Sequence, residues 1–199
     1  LRGTLSTGFR APGLQQANYS YVQTTISGGV LTDVLVARND SAVAHALGVP
    51  GETQEGVQDA VDFIATLRQT KDLSTLPVGR RVVVIGGGMT AVDAAVQSKL
   101  LGAKVVHMVY RRGVDTMTAS KAEQEWAQTN GVVLHNWLAP VEIIGKDGHV
   151  SAIRLADQAL VNGKLTPTGR EITFEADTVL KAIGQKLGNP VLTEAGLTL

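Results

Sequence analysis

The residues best placed to do chemistry are Gly86, Gly87, Gly88, Met89, Thr90 and Ala91, a G-x-G-x-x-A run. Gly86 permits a tight turn from strand to helix. Gly88 leaves room for a pyrophosphate to approach the backbone, and Ala91 lets the helix lie close to the strand. A helix starting near Thr90 would aim its free N–H groups and positive dipole end at the phosphates. Six such residues are weak on their own. Here they follow the apolar run Arg81-Val82-Val83-Val84-Ile85 and open a helical pattern, the context that the motif needs. The alternative is a glycine turn that binds nothing. About 20 residues further on, where a ribose-binding Asp or Glu is expected, stands Tyr110-Arg111-Arg112-Gly113. Two guanidinium groups suit the 2′-phosphate of NADP, because arginine grips phosphate through paired, charge-assisted hydrogen bonds. The alternative is a solvated basic loop, with Asp115 free to pair with either arginine. Ala182, Ile183 and Gly184 end the last apolar run; small residues there would let a cofactor cross the sheet edge, or would simply form a turn.

Other chemistry is thin. His45, His107, His135 and His149 show no metal-ligand spacing, and His107, alternating with apolar residues, reads as packed rather than catalytic. Glu123 and Glu125 read as a solvated helix face, and Trp126 and Trp137 as core or helix-packing residues. No nucleophile elbow or Ser-His-Asp arrangement is present.

The elements that must position the glycine turn follow from periodicity. Residues 81–85 are apolar throughout, as a strand buried on both faces requires. Residues 90–101 form a helix with the small face Ala91, Ala94, Ala95 and Ser98, ended by Gly102. A second strand at 104–110, a helix at 120–130 and a third strand at 132–135 complete β-α-β-α-β, which implies a parallel sheet with right-handed crossovers. Upstream, helical spacing of Val57, Ala60, Val61, Ile64 and Leu67 predicts a helix over 56–71, then a loop over 73–79. Downstream, residues 141–144 and 150–155 flank Lys146-Asp147-Gly148 as a hairpin, with a third antiparallel strand at 171–174. Residues 178–183 rejoin the parallel sheet. The fold class is therefore α/β: a Rossmann-like three-layer NAD(P)-binding domain plus a small antiparallel β-meander.

Composition bounds the rest. The 199 residues are 44% hydrophobic and 18% charged, a globular balance. The formal net charge is zero, so no basic surface points to nucleic acid. No cysteine is present, which excludes disulfides and a cysteine-ligated iron–sulfur cluster within this segment. No apolar run approaches the roughly 20 residues of a membrane helix. The opening Leu1-Arg2-Gly3-Thr4 has neither an initiator methionine nor a signal-peptide pattern, and the chain reads as a piece of something longer, of cytoplasmic location.

Residues 82–113, "VVVIGGGMTAVDAAVQSKLLGAKVVHMVYRRG", resemble the nicotinamide domain of glutamate-synthase small-subunit-type flavoproteins. They look closest to the flavin subunit of bacterial dihydropyrimidine dehydrogenase. "ALGVPGE" at 46–52, "MTASKAEQE" at 117–125 and "ADTVLKAIGQ" at 176–185 resemble further landmarks of that family, in the same order. The resemblance covers about 46–199 and implies a partial chain of a two-dinucleotide-binding-domain flavoprotein. In such proteins a nicotinamide delivers hydride to a flavin, and the protein supplies alignment and exclusion of water. Carried over residue by residue, Gly86, Gly87, Gly88, Met89, Thr90 and Ala91 would hold the pyrophosphate. Arg111 and Arg112 would hold the adenosine ribose phosphate, and Ala182, Ile183 and Gly184 would lie near the nicotinamide. The implied cofactor is NADP, or NAD, since pyrimidine-reducing members use NADH with a similar Arg pair. FAD would be held by segments not found here, so the expected partners are those FAD-binding segments and a catalytic subunit.

Residues 1–48 read differently. Alternation over 1–9 has strand period, and 40–47 reads as a short helix. "LRGTLSTGFRAPGLQQ" and "YSYVQTT" resemble barrel strands of TonB-dependent outer-membrane receptors, although one such segment cannot close a barrel. The expectation is a foreign or poorly ordered segment at 1–48 joined to an NAD(P)H-binding domain at 49–199. The rival readings are a non-catalytic nucleotide-binding fragment, and the start of an outer-membrane receptor fused by accident.

Overall fold

The computed structural model describes residues 46–187 and, before them, the strands β1 (Tyr21–Ser27), β2 (Val30–Val36) and β3 (Ala42–Ala44). There follow β4 (Val57–Asp59), α1 (Ala60–Gln69), β5 (Arg81–Ile85), α2 (Met89–Leu100), β6 (Val105–Tyr110), α3 (Lys121–Thr129) and β7 (Val132–Asn136). The last strands are β8 (Leu138–Lys146), β9 (His149–Val161), β10 (Lys164–Glu175), β11 (Thr178–Lys181) and β12 (Gln185–Leu187). The chain divides into two units, Ala44–Gly184 and a second made of Leu1–Val43 with Gln185–Leu199.

The larger unit is built on a five-stranded sheet of order β4-β11-β5-β6-β7, with every pairing parallel. Its middle strand β5 is buried on both faces from Val82 to Ile85, which explains a strand with no polar alternation. Val82, Val84, Val106, Met108, Val132 and Leu180 point to one face and pack with α1, α2 and α3. Val83, Ile85, Val109 and Val179 point to the other and pack with Ile143, Ile153 and Leu155 of the antiparallel sheet β10-β9-β8. The result is three layers, helices, parallel sheet and antiparallel meander, with the expected meander forming the third layer. Ala91, Ala94 and Ala95 are fully buried, so α2 lies close against the sheet, and a larger side chain at any of them would cost about 1–3 kcal/mol by overpacking.

The β8–β9 hairpin closes with a two-residue turn, Asp147 at φ 53° and Gly148 at φ 84°. Positive φ at both residues is the type I′ geometry that matches strand twist, as the Asp-Gly pair implies. The third antiparallel strand is longer than the expected 171–174, with an irregularity between Pro167 and Glu171. At the base of β5, Arg81 clamps the end of the meander: its side chain donates to Asp177 Oδ1 (2.5 Å) and Glu175 Oε2 (2.6 Å).

Three expectations need correction. Residues 57–59 are not the start of the helix but the edge strand β4, because Val57 pairs with Val179. The loop over 73–79 contains a 3-10 turn at Leu73–Thr75, held by the Asp72 carboxylate accepting from Ser74 N (3.0 Å). The short helix read over 40–47 has a strand at Ala42–Ala44, which pairs with β12. The alternating pattern at 1–9 lies outside the described residues. Part of the "YSYVQTT" segment forms β1, which pairs antiparallel with β2 from Tyr21↔Val36 to Ser27↔Val30.

Candidate functional site

The sheet order puts a switch point between β5 and β11: the chain leaves β5 for β6 on one side and returns through β11 on the other. Ligands of open α/β sheets bind at the carboxyl ends of strands at such a point. Gly86 follows β5 there, and Ala182 follows β11. Gly86 has φ +153°, and a Cβ built on it would stand 2.4 Å from the Ala182 carbonyl oxygen, so only glycine fits. Ala182 N donates to Ile85 O (2.8 Å) and Gly86 N to Val109 O (2.9 Å), which ties the turn to both neighbouring strands.

Gly87 and Gly88 are bare for spatial reasons. A Cβ on Gly87 would meet the Tyr110 ring at 2.5 Å, and one on Gly88 the Thr118 hydroxyl at 3.0 Å. Gly88 caps α2, and its carbonyl accepts from Ala91 N (3.0 Å) and Val92 N (3.1 Å). The N–H groups of Gly88, Met89 and Thr90 have no partner among the described residues. The first turn of α2 carries no acidic residue, so its positive end is not compensated by a carboxylate. Met89 is 61% exposed at this opening. The cradle, whose Cβ positions are crowded and whose donors are free, fits a pyrophosphate.

Arg111 and Arg112 directly follow β6 and are both exposed. Among the described residues neither forms an ion pair, so the pairing with Asp115 that the alternative reading allows is not seen there. The Arg112 carbonyl accepts from Trp137 N (3.2 Å), which fixes the backbone and leaves the guanidinium group in solvent. Ala182, Ile183 and Gly184 continue from β11, with Ile183 36% exposed. The structure thus brings all the sequence-derived positions to the carboxyl end of the sheet.

A charged cluster beside Ala182 escaped the sequence reading. Lys181 Nζ lies 3.0 Å from Glu52 Oε1 and 3.3 Å from Asp59 Oδ1, and all three side chains are at most 24% exposed. Burial pushes the Glu52 carboxyl up, but donation from Leu47 N, Lys181 and Gly48 N outweighs it and holds it below its usual range. Burial likewise pulls Lys181 down, and the two carboxylates more than restore it. Asp59 sits at the N-cap of α1 yet does not cap it. The available signal was a lysine inside the apolar run Val179-Leu180-Lys181-Ala182-Ile183.

Two histidines set apart in sequence also meet. His107 Nδ1 and His135 Nε2 are 2.9 Å apart, and His107 stacks on Phe174 at 4.5 Å between centroids. Burial lowers the pKa of both, with His107 adding to the effect on His135. No group of three or more metal-ligating side chains occurs among the described residues. Glu123 completes a capping box with Ser120 rather than a bare solvated face. Of the two readings of Trp126, core or helix-packing, its 43% exposure removes the first; Gln124 and Ala127 are the residues that α3 buries.

This architecture and site define a Rossmann-type domain of FAD-dependent pyridine nucleotide oxidoreductases. The chain belongs to the pyridine nucleotide-disulphide oxidoreductase family, whose model matches residues 35–199, starting before the residue 46 at which the sequence resemblance begins. It is 35% identical over 151 residues to the glutamate synthase [NADPH] small chain of Halomonas elongata, covering 69% of this chain and 32% of the relative. It is 30% identical over 138 residues to the NAD-dependent dihydropyrimidine dehydrogenase subunit PreT of Escherichia coli K12, covering 69% and 30%. Thioredoxin reductase from Streptococcus pyogenes superposes with a TM-score of 0.59 at 26% identity, over 79% of this chain and 46% of that one. The chain spans less than a third of the length of these curated relatives. No helix among the described residues is long and apolar enough to cross a membrane.

Proposed function

We propose that the unit Ala44–Gly184 binds a nicotinamide dinucleotide, NADPH in preference to NADH, and presents it to a flavin held by FAD-binding segments, in concert with a catalytic partner subunit. The observation that carries this reading is the glycine turn at the β5/β11 switch point, with N–H groups at the start of α2 and an arginine pair at the end of the next strand that have no partner among the described residues. When bound, the nicotinamide would supply a hydride.

The work of this chain is binding and alignment. Gly88, Met89 and Thr90 would donate backbone hydrogen bonds to the pyrophosphate, with Gly86, Gly87 and Ala91 keeping strand, turn and helix close. Arg111 and Arg112 would pair with the 2′-phosphate. Ala182, Ile183 and Gly184 would border the nicotinamide end, on backbone that the Lys181 cluster holds in place. No acid or base is needed for hydride transfer.

Calorimetric titration of the chain with NADPH and with NADH tests this. Tight NADPH and weaker NADH binding is expected. Equal binding would remove the role given to the arginines, and no binding of either would defeat the proposal.

A further inference from the structure

The loop that carries Arg111 and Arg112 returns to the glycine turn, where Ala119 N donates to Gly87 O (3.0 Å), and Thr118 stands at its far end. The Tyr110 hydroxyl donates to Thr116 O (2.8 Å), and the Thr116 hydroxyl donates to Gly113 O (2.8 Å). Met117 N donates to Val114 O (3.2 Å). Ala119, 3% exposed, donates from its N–H to Gly87 O (3.0 Å), and its carbonyl accepts from Gln124 Nε2 (2.9 Å). The Ser120–Glu123 capping box then fixes the start of α3. Thr118 therefore sits on backbone held on both sides, while the residue itself is exposed. No hydrogen-bond partner for its hydroxyl is found among the described residues. That oxygen lies 3.0 Å from where a Cβ on Gly88 would stand.

We infer that Thr118 is a further nucleotide-binding residue, whose hydroxyl donates to the pyrophosphate of the dinucleotide across the turn from the Gly88 and Met89 N–H groups. The inference rests on the reading of the glycine turn given above. A single loop would then serve both phosphate groups, with Arg111 and Arg112 at its start on the ribose phosphate and Thr118 at its end on the pyrophosphate. A hydroxyl on a pre-set backbone loses little entropy on binding, so the contact would count in affinity. Its contribution would be the same for NADPH and NADH, because both carry the pyrophosphate, whereas that of the arginines would not.

The test is titration of the full chain and of Thr118→Val and Thr118→Ser with NADPH, NADH and 2′-AMP, which has the ribose phosphate and no pyrophosphate. Thermal melts check that each variant folds. Thr118→Val should weaken NADPH and NADH by the same factor, roughly tenfold as for a hydrogen bond to a charged group, and leave 2′-AMP unchanged. Thr118→Ser should bind like the unmutated chain. Unchanged binding in Thr118→Val, loss of 2′-AMP in parallel, or failure of serine to restore affinity would each overturn the inference. Failure of the unmutated chain to bind either dinucleotide would instead defeat the reading of the site itself, and the role of Thr118 with it.

Discussion

Gly86 and Gly88 lie two residues apart, yet replacing each by alanine should damage different properties. At Gly86 the added Cβ would stand 2.4 Å from the Ala182 carbonyl oxygen, on a residue with φ +153°. The overlap is with backbone, so β5 and β11 must separate, and overpacking plus backbone strain should cost roughly 2–4 kcal/mol. For a chain of this length that lowers the melting temperature by roughly 5–15 °C. At Gly88, φ is −107° and the only near atom is the end of the Thr118 side chain, which can turn aside. Alanine at this N-cap should cost about 1 kcal/mol or less, a shift of a few degrees at most. Its methyl group, however, would stand where the pyrophosphate approaches, and losing one or two charge-assisted hydrogen bonds should weaken NADPH roughly 10- to 100-fold. Thermal melts and calorimetric titration of the two variants read both properties. A Gly88→Ala protein that binds NADPH like the unmutated chain, or a Gly86→Ala protein that melts no lower than Gly88→Ala, would refute this reasoning.

Arg111→Ala with Arg112→Ala should cost NADPH binding roughly 1–3 kcal/mol from lost charge-assisted bonds and leave NADH nearly unchanged, as paired titrations would read. Lys181→Met leaves Glu52 and Asp59 facing each other with little solvent; it should destabilise the chain by about 2–3 kcal/mol, less than a fully buried pair would, and Glu52→Gln in the same chain should recover part of the melting temperature. His107 and His135 have folded pKa values below their unfolded ones, so the unfolded state binds more protons; stability is fully present above about pH 6.5 and falls as pH drops from there toward the folded values. Melts from pH 7.5 to 5 should show this decline, with a shallower one in His135→Phe. Asp177, held low chiefly by its hydrogen bond from Arg81, should add a loss at more acid pH, as the carboxyl is protonated, that Arg81→Met reduces.

The parts of the fold legible in the sequence are those whose cause is local. The apolar run at 81–85, the small face of α2, and the Asp147-Gly148 turn each declare their structure within a dozen residues. The glycine turn was legible for the same reason, since strand, glycines and helix are contiguous. What was hidden depends on partners far along the chain. Val57–Asp59 carries helical spacing because it runs into α1, and only the parallel pairing with β11, more than a hundred residues later, makes it a strand. Lys181 and Glu52 are 129 positions apart, and their ion pair leaves no periodic trace. His107 and His135 meet because β6 and β7 are neighbours whose side chains at these positions share one face. Size alone left Trp126 as core or helix-packing; its position on α3, which puts Gln124 and Ala127 inward, decides against the core. Type and spacing single out Arg111 and Arg112, but only the loop's geometry shows that, among the described residues, neither pairs with Asp115.

The central claim is that a nicotinamide dinucleotide sits at the β5/β11 switch point. Amide chemical-shift mapping by NMR, on isotope-labelled chain titrated with NADPH, tests it residue by residue. The account predicts the largest shifts at Gly86, Gly87, Gly88, Met89 and Thr90, with further shifts at Arg111, Arg112 and Ala182 to Gly184. Shifts centred instead on the cleft lined by His135, Asp157 and Arg170, or no shifts at saturating nucleotide, would contradict it.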